Sequence, residues 1–387
     1  MDDIAINPKL ATYREQYPIL ADSVYMNSNS MGAMSRSARE ATTAYLDTWQ
    51  DEGVEAWNRW LDVVADTADS VAKLMGGKPG HTGLNQNVAY FQAAVASSID
   101  WSGPRNKVVT ESLMFPNVIY VWERFRSLGA DLCLVPSDDG MNVPTERILD
   151  AIDEQTAVVS ISHAIYVSGA LLDVEAICRR AHEVGAKVIV DVYQTLGTVP
   201  FDVQQWNADF VVGGSHKWLC GGPGTAFLYV HPETLPTFEP RTTGWMAHAE
   251  PFAFEPAPIR YGTDARRLLG GTPSIPAYYI AQAAYRPLHE IGIENIRSHN
   301  LALSRIVVDR AQQAGLTVHS PLEEHRRTGF VAVDFPGSEA VSKQLIEERY
   351  KHDWRPGCGL RIGPHFYNTE DEVQRFMDRL IALAPGR

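Results

Sequence analysis

Cysteine is scarce in this sequence: Cys133, Cys178, Cys220 and Cys358 are the four in 387 residues. None forms a C-x-x-C pair, which argues against zinc ligation and against thioredoxin-like redox chemistry. Such sparse use fits a reducing compartment. Positive charge is not in excess either. Thirty-four Lys and Arg face 47 Asp and Glu, for a formal net charge of −13, whereas a nucleic-acid binder needs a basic face. No run is long and apolar enough to span a bilayer. Met1-Asp2-Asp3 is acidic and lacks the apolar core of a signal peptide. Solenoid repeats and low-complexity tracts are also missing. These absences predict a soluble, cytoplasmic protein with no nucleic-acid partner and no membrane partner.

What is present is a large apolar fraction, 45% of residues, enough for more than one small domain. We expect a large domain over residues 20–275 and a small one from residues 1–19 and 276–387. Short β-rich runs alternate with amphipathic stretches. Lys107–Thr110, Leu132–Val135, Thr156–Ser162, Lys187–Asp191, Asp209–Gly213 and Ala226–Val230 read as strands. Helices are expected over about Asn117–Ser127 and Val174–Val184. Continuous apolar strands separated by helices imply an α/β fold with a mostly parallel sheet covered on both faces. His231 to Pro258, rich in proline and aromatics, reads as a long loop or lid. Helices near Ile275–Glu290 and Ile293–Ala314 lead into the smaller α/β domain. There the expected elements are Phe330–Val333, a helix at Ser338–Tyr350, the strand Leu360–Ile362 and a final helix from Glu370.

In such sheets ligands sit at the carboxyl ends of strands. Asp191 ends one strand, in VIVDVYQTLG. Lys217 follows another, in GGSHKWLCGGPGTAFLYV, between Ser215-His216 and a glycine-rich turn. A carboxylate, a lysine and a Ser-His pair in this setting meet the needs of pyridoxal-phosphate (PLP) chemistry. Lys217 would hold the aldehyde as an imine. Asp191 would keep the pyridine nitrogen protonated, and Ser215 and His216 could reach the phosphate. Phe115, in ESLMFPN, could stack on the ring. Arg361, in GLRIGPHFYN, offers the planar donors that match a substrate α-carboxylate.

The same segments resemble class V PLP enzymes: kynureninases, cysteine desulfurases and isopenicillin-N-epimerase-like proteins. YMNSNSMGAMSRSARE, ISHAIYVSG, VDVYQTLGTVPFDV, the SHKW run and RPGCGLRIGPHFYNTEDEV carry the likeness over nearly the whole chain. The resemblance implies PLP-dependent transferase fold type I and a homodimer with shared active sites. It further implies that Lys217 and His216 are catalytic and that Asp191 and Phe115 hold the cofactor ring. Gln194 would lie at the cofactor O3′ side, Asn85-Gln86 at the phosphate, and Thr272 would reach across the dimer. Asn29 and Ser30 match a substrate loop beside Arg361. Trp245 and His248, in GWMAH, resemble a pocket-lining segment, or pack on the domain below. His163 could touch the cofactor or be a satisfied core histidine.

Departures from kynureninases are informative. Gln194 replaces a His, His216 a Tyr, Ile165 an Asn and Val118 an Asp. Cys358 stands only three residues before Arg361, too close for the mobile thiolate of a desulfurase, and reads as buried or inert. The implied enzyme acts on a small-molecule α-amino acid through an external aldimine and a quinonoid. The reading favoured is a Cβ–S (Cβ–X) lyase, with a possible place in secondary metabolism such as antibiotic biosynthesis. Alternatives are a kynureninase-like hydrolase, an aminotransferase or epimerase, and decarboxylative deamination. No metal ligand set is expected.

Overall fold

The computed structural model describes residues 4–384; Met1–Asp3 and the last three residues of the predicted small domain lie outside them. The main sheet has seven strands. In chain order they are β1 (Thr82–Asn85), β2 (Lys107–Glu111), β3 (Asp131–Val135), β4 (Thr156–Ser162), β5 (Lys187–Asp191), β6 (Phe210–Gly214) and β7 (Ala226–Val230). Their spatial order is β1-β7-β6-β5-β4-β2-β3. Pairing is parallel from β3 through β6, and β7 runs antiparallel to both its neighbours. The α/β class and the mostly parallel sheet expected from the sequence are therefore what the chain adopts. The reason is visible in the central strands. Every residue of β4 and of β6 is buried, as required of strands covered on both faces.

Helices sit where the sequence supplies caps. Asp173 accepts from Ala176 N–H at the start of Val174–Glu183, and Pro116 occupies the first position of Pro116–Phe125, where its missing N–H costs nothing. Two long helices precede the sheet, Arg36–Glu52 and Trp57–Leu74. They pack on Ile275–Ile291. Trp60 enters this core while Trp49 is 59% exposed, so the tryptophans at near-helical spacing do not share one environment. The His231–Pro258 stretch holds only short 3-10 turns, in keeping with a long loop.

A second, antiparallel sheet is built from Thr317–Val318, Val331–Asp334, Gly359–Ile362 and Asp353–Arg355. It has its own apolar cluster with Ile293–Gln313 and Glu370–Leu383. The N-terminal strand Val24–Tyr25 pairs with Tyr350–Lys351 in a separate two-stranded sheet, just ahead of the Asp353–Arg355 strand. One bridge further on, Asn27 pairs with Gly363. The loop carrying Asn29 and Ser30 is thereby held beside the Arg361 strand. Among the described residues no helix is long and apolar enough to cross a membrane.

Candidate functional site

The carboxyl ends of β2, β4 and β5 and the turn after β6 converge on a cavity of about 280 Å³. Its lining includes Lys217, His216, Asp191, Gln194, Phe115, Asn29, Ser30 and Arg361. Eight residues that sequence reasoning drew from five separate segments thus meet at one place.

Lys217 lies on the turn after β6. Burial, and then repulsion from Arg361, lower its pKa to about 8, against the pull of Asp191. The amine therefore gives up its proton far more readily than a free lysine, which suits it to act as a nucleophile or a base. Its Nζ stands 4.6 Å from the centre of the Tyr193 ring and 5.7 Å from that of Phe115. Asp191 closes β5 and is 7% exposed. It accepts from Tyr193 N–H at 2.8 Å. Burial raises its pKa to about 6, with that hydrogen bond and Lys217 opposing. A positive group placed against it would lower that pKa again. On β2, one strand beyond β4, the buried Glu111 accepts from Ser162 N–H at 3.0 Å and from the Ser162 hydroxyl. Burial pushes its pKa up to about 7 despite those bonds.

Arg361 is 3% exposed. Its Nε donates to Asp353 Oδ1 at 2.9 Å, Nη2 to Asp353 Oδ2, and Nη1 to the Tyr166 carbonyl at 2.7 Å. Asp353 and Arg361 are direct cross-strand partners, a position where opposite charges attract. Guanidinium has five N–H donors; three are engaged, and one each on Nη1 and Nη2 remains for a second planar anion. Arg355, two residues from Asp353 and so on the same strand face, reaches Asp353 Oδ2 at 3.2 Å and also lines the cavity.

Gln194 spends its amide on the fold: Nε2 donates to the Asn29 carbonyl at 3.1 Å and Oε1 accepts from Trp218 at 3.2 Å. Asn29 Nδ2 in turn faces Asp353 Oδ1 at 3.4 Å. Other expected residues lie outside the cavity lining. Asn85 and Gln86 precede it; Asn87 and Val88, at the start of Val88–Ser97, take the lining position. Asn87 caps that helix by accepting from Tyr90 N–H at 3.0 Å. Its first N–H groups therefore end at the cavity edge, a natural seat for phosphate. The Ser215 hydroxyl is bonded to Tyr285. His163 is buried with Nδ1 2.9 Å from the Thr195 hydroxyl, its ring edge-on to Trp206, and burial lowers its pKa to about 3. Thr272 is exposed. Trp245 stacks on Phe254 at 6.0 Å, in the loop after β7. His248 Nε2 lies 3.4 Å from Glu255 in that loop.

The sequence reading missed Asn87, Met114, Tyr166, Tyr193, Asp353 and Arg355. Signals for three of them were present. Asn before a Val-Ala-Tyr-Phe run is a helix start. Asp353 and Arg355 alternate in a short strand facing the one that bears Arg361. Cys358 is buried outside the cavity lining, its thiol donating to the Val167 carbonyl at 3.2 Å, and burial pushes its pKa up to about 11.

The model of the family described as aminotransferase class-V matches residues 61–376. An uncharacterized aminotransferase, YcbU of Bacillus subtilis, is 29% identical over 96% of this chain and 97% of its own. The kynureninase of Pseudomonas fluorescens is 29% identical over 94% of this chain and 90% of its own. Among solved structures, the cystine C–S lyase C-DES, in complex with its reaction product cysteine persulfide, superposes with a TM-score of 0.86. It is 22% identical, over 96% of this chain and all of that one. This last likeness is one of fold, the fold type I of PLP-dependent enzymes.

Proposed function

Since the chain belongs to the aminotransferase class-V family, whose cofactor is PLP, we propose that the Lys217 cavity cleaves a Cβ–S or similar Cβ–X bond of an α-amino acid. The residues present fit the cofactor. An amine of lowered pKa, a buried carboxylate of raised pKa and an aromatic ring share one cavity with a capped helix N-terminus at its edge. Lys217 would hold the aldehyde carbon and Asp191 the pyridine nitrogen, with Phe115 and Tyr193 as the nearest rings. When bound, PLP supplies a carbon that takes the substrate amine and a ring that accepts electrons from Cα.

Arg361, held by Asp353 and the Tyr166 carbonyl, presents its two free N–H groups to the substrate α-carboxylate and so fixes which Cα bond faces Lys217. Lys217 Nζ removes the Cα proton. The observation that favours a sulfur-bearing side chain is the apolar wall formed by Val88, Met114, Val118 and Ala164. It offers no carboxylate to a polar side chain and suits a soft thioether. The net reaction is balanced by one water: an S-substituted cysteine plus water gives a thiol, pyruvate and ammonium. The C-DES enzyme, named a cystine C–S lyase, acts within this fold. The kynureninase resemblance at 29% identity favours a second reading, hydrolysis of a Cβ–Cγ bond.

Product analysis without added oxo acid separates them. We expect thiol, pyruvate and ammonium from S-substituted cysteines. Alanine with anthranilate from kynurenine, and no turnover of the cysteines, would replace this reading by the second one.

A further inference from the structure

Tyr193 carries a hydroxyl in the cavity that the reaction described above does not use. It follows β5 by two residues, and its hydroxyl lies 2.7 Å from His216 Nδ1. Both residues line the cavity. The contact is built into the backbone. A Cβ on Gly214, the last residue of β6, would stand 2.1 Å from the Tyr193 hydroxyl oxygen, so the phenol occupies space that any other residue there would fill. Tyr193 is further anchored by its N–H bond to Asp191.

The direction of this hydrogen bond follows from the two groups. Burial, with Asp191 and Tyr285 adding to it, raises the phenol pKa, so the oxygen keeps its proton. Burial and then the Lys217 charge lower the imidazole pKa to about 4, so the ring is neutral. A neutral imidazole has one N–H and one acceptor nitrogen. Among the described residues Tyr193 Oη has no hydrogen-bond partner other than Nδ1. A phenol that donates to Nδ1 leaves neither its own proton nor that nitrogen unpaired, and the ring proton then resides on Nε2.

We propose that Tyr193 is a positioning residue that locks His216 as its Nε2–H tautomer, so that the imidazole presents a fixed hydrogen-bond donor to an anionic group bound in the cavity. Two anions have this chemistry: the phosphate of the cofactor, and the leaving group as it departs with the bonding electrons. No proton is transferred in this role; the ring donates a hydrogen bond and stays neutral. The proposal rests on the cavity reading above but not on the identity of the leaving group, because the tautomer is read without substrate.

The test is the isosteric Tyr193→Phe, which removes one oxygen. Nitrogen-15 NMR of the cofactor-free protein, with His216 assigned by comparison with His216→Gln, should show an unprotonated Nδ1 and a protonated Nε2 in the wild type. The variant should show mixed tautomers. A merely structural role would leave this signature unmoved. Affinity is then measured for PLP and for pyridoxal, which lacks the phosphate. A loss of roughly fivefold for PLP, with pyridoxal unchanged, assigns the phosphate as the anion. Equal affinities, with kcat reduced most for the poorest thiol leaving groups, assign the leaving group. A wild-type ring protonated at Nδ1, or a variant with unchanged tautomer, affinity and kcat, overturns the proposal whatever the substrate proves to be.

Discussion

Asp353→Asn is the substitution whose consequences follow most directly from the geometry. The Asp353 side chain is 14% exposed and that of Arg361 4%. Asparagine preserves volume and one acceptor oxygen but removes the charge that holds the guanidinium. Breaking a buried pair by neutralising one partner costs about 3–5 kcal/mol, because the other charge is left uncompensated. Arg355, half exposed, adds nothing reliable to that figure. With one oxygen still able to accept from Arg361, the lower end applies, and urea unfolding of the cofactor-free protein at pH 7 should show a loss of about 3 kcal/mol. The pH dependence has a definite sign. Burial would raise the Asp353 pKa, but the hydrogen bond and charge of Arg361 outweigh it and hold the group below its ordinary value. A depressed carboxylate stabilises above its unfolded pKa and loses that contribution as pH falls through the folded one. The deficit of the variant is therefore full above about pH 4 and disappears in stronger acid. Arg361 released from Asp353 should also raise KM for an amino-acid substrate on the order of tenfold, with a smaller change in kcat. Stability within about 0.5 kcal/mol of the wild type together with an unchanged KM would refute the argument that Asp353 aims Arg361.

Lys217→Met should stabilise the cofactor-free protein. A lysine whose folded pKa is about 8 rather than 10.5 carries a penalty of about 3 kcal/mol at pH 7, and about 2 after allowing for the side chain's partial exposure to the cavity. That gain should shrink between pH 8 and pH 10.5, as measured by unfolding at several pH values. Cys358→Ala should leave turnover of S-substituted cysteines within about twofold, since the thiol lies outside the cavity lining; a hundredfold loss would restore the desulfurase-type thiolate role for it. Thr369→Ala removes the capping box at Glu370–Leu383, where Thr369 and Glu372 cap each other reciprocally, and should cost about 1 kcal/mol in urea unfolding.

The central strands were legible because their runs are continuously apolar and end in turn residues. Thr156–Ser162, Lys187–Asp191 and Ala226–Val230 fall where the pattern places them. Arg36–Glu52 was not legible. Its apolar positions fall at helical spacing, but half of them are alanines among charged and hydroxyl residues, a weak form of the apolar stripe by which a helix is recognised. The cavity was legible where chemistry demands rare residue types in fixed order, as with Asp191 and His216-Lys217, which line it. It was opaque where function depends on pairing across elements. Asp353 reads as a surface charge until its cross-strand register with Arg361 is known. Gln194 lines the cavity, but that its amide also joins Asn29 to Trp218 depends on the fold. Tyr193 stood inside a quoted motif, yet its link to His216 depends on Gly214, in another strand.

Every role proposed for the cavity depends on Lys217 as the residue that holds PLP. Borohydride reduction of the PLP-loaded protein, followed by proteolysis and mass spectrometry, locates that bond. The expected result is a single pyridoxyl adduct on the peptide containing Ser215-His216-Lys217. An adduct on another lysine, or none from a fully loaded protein, would contradict the account.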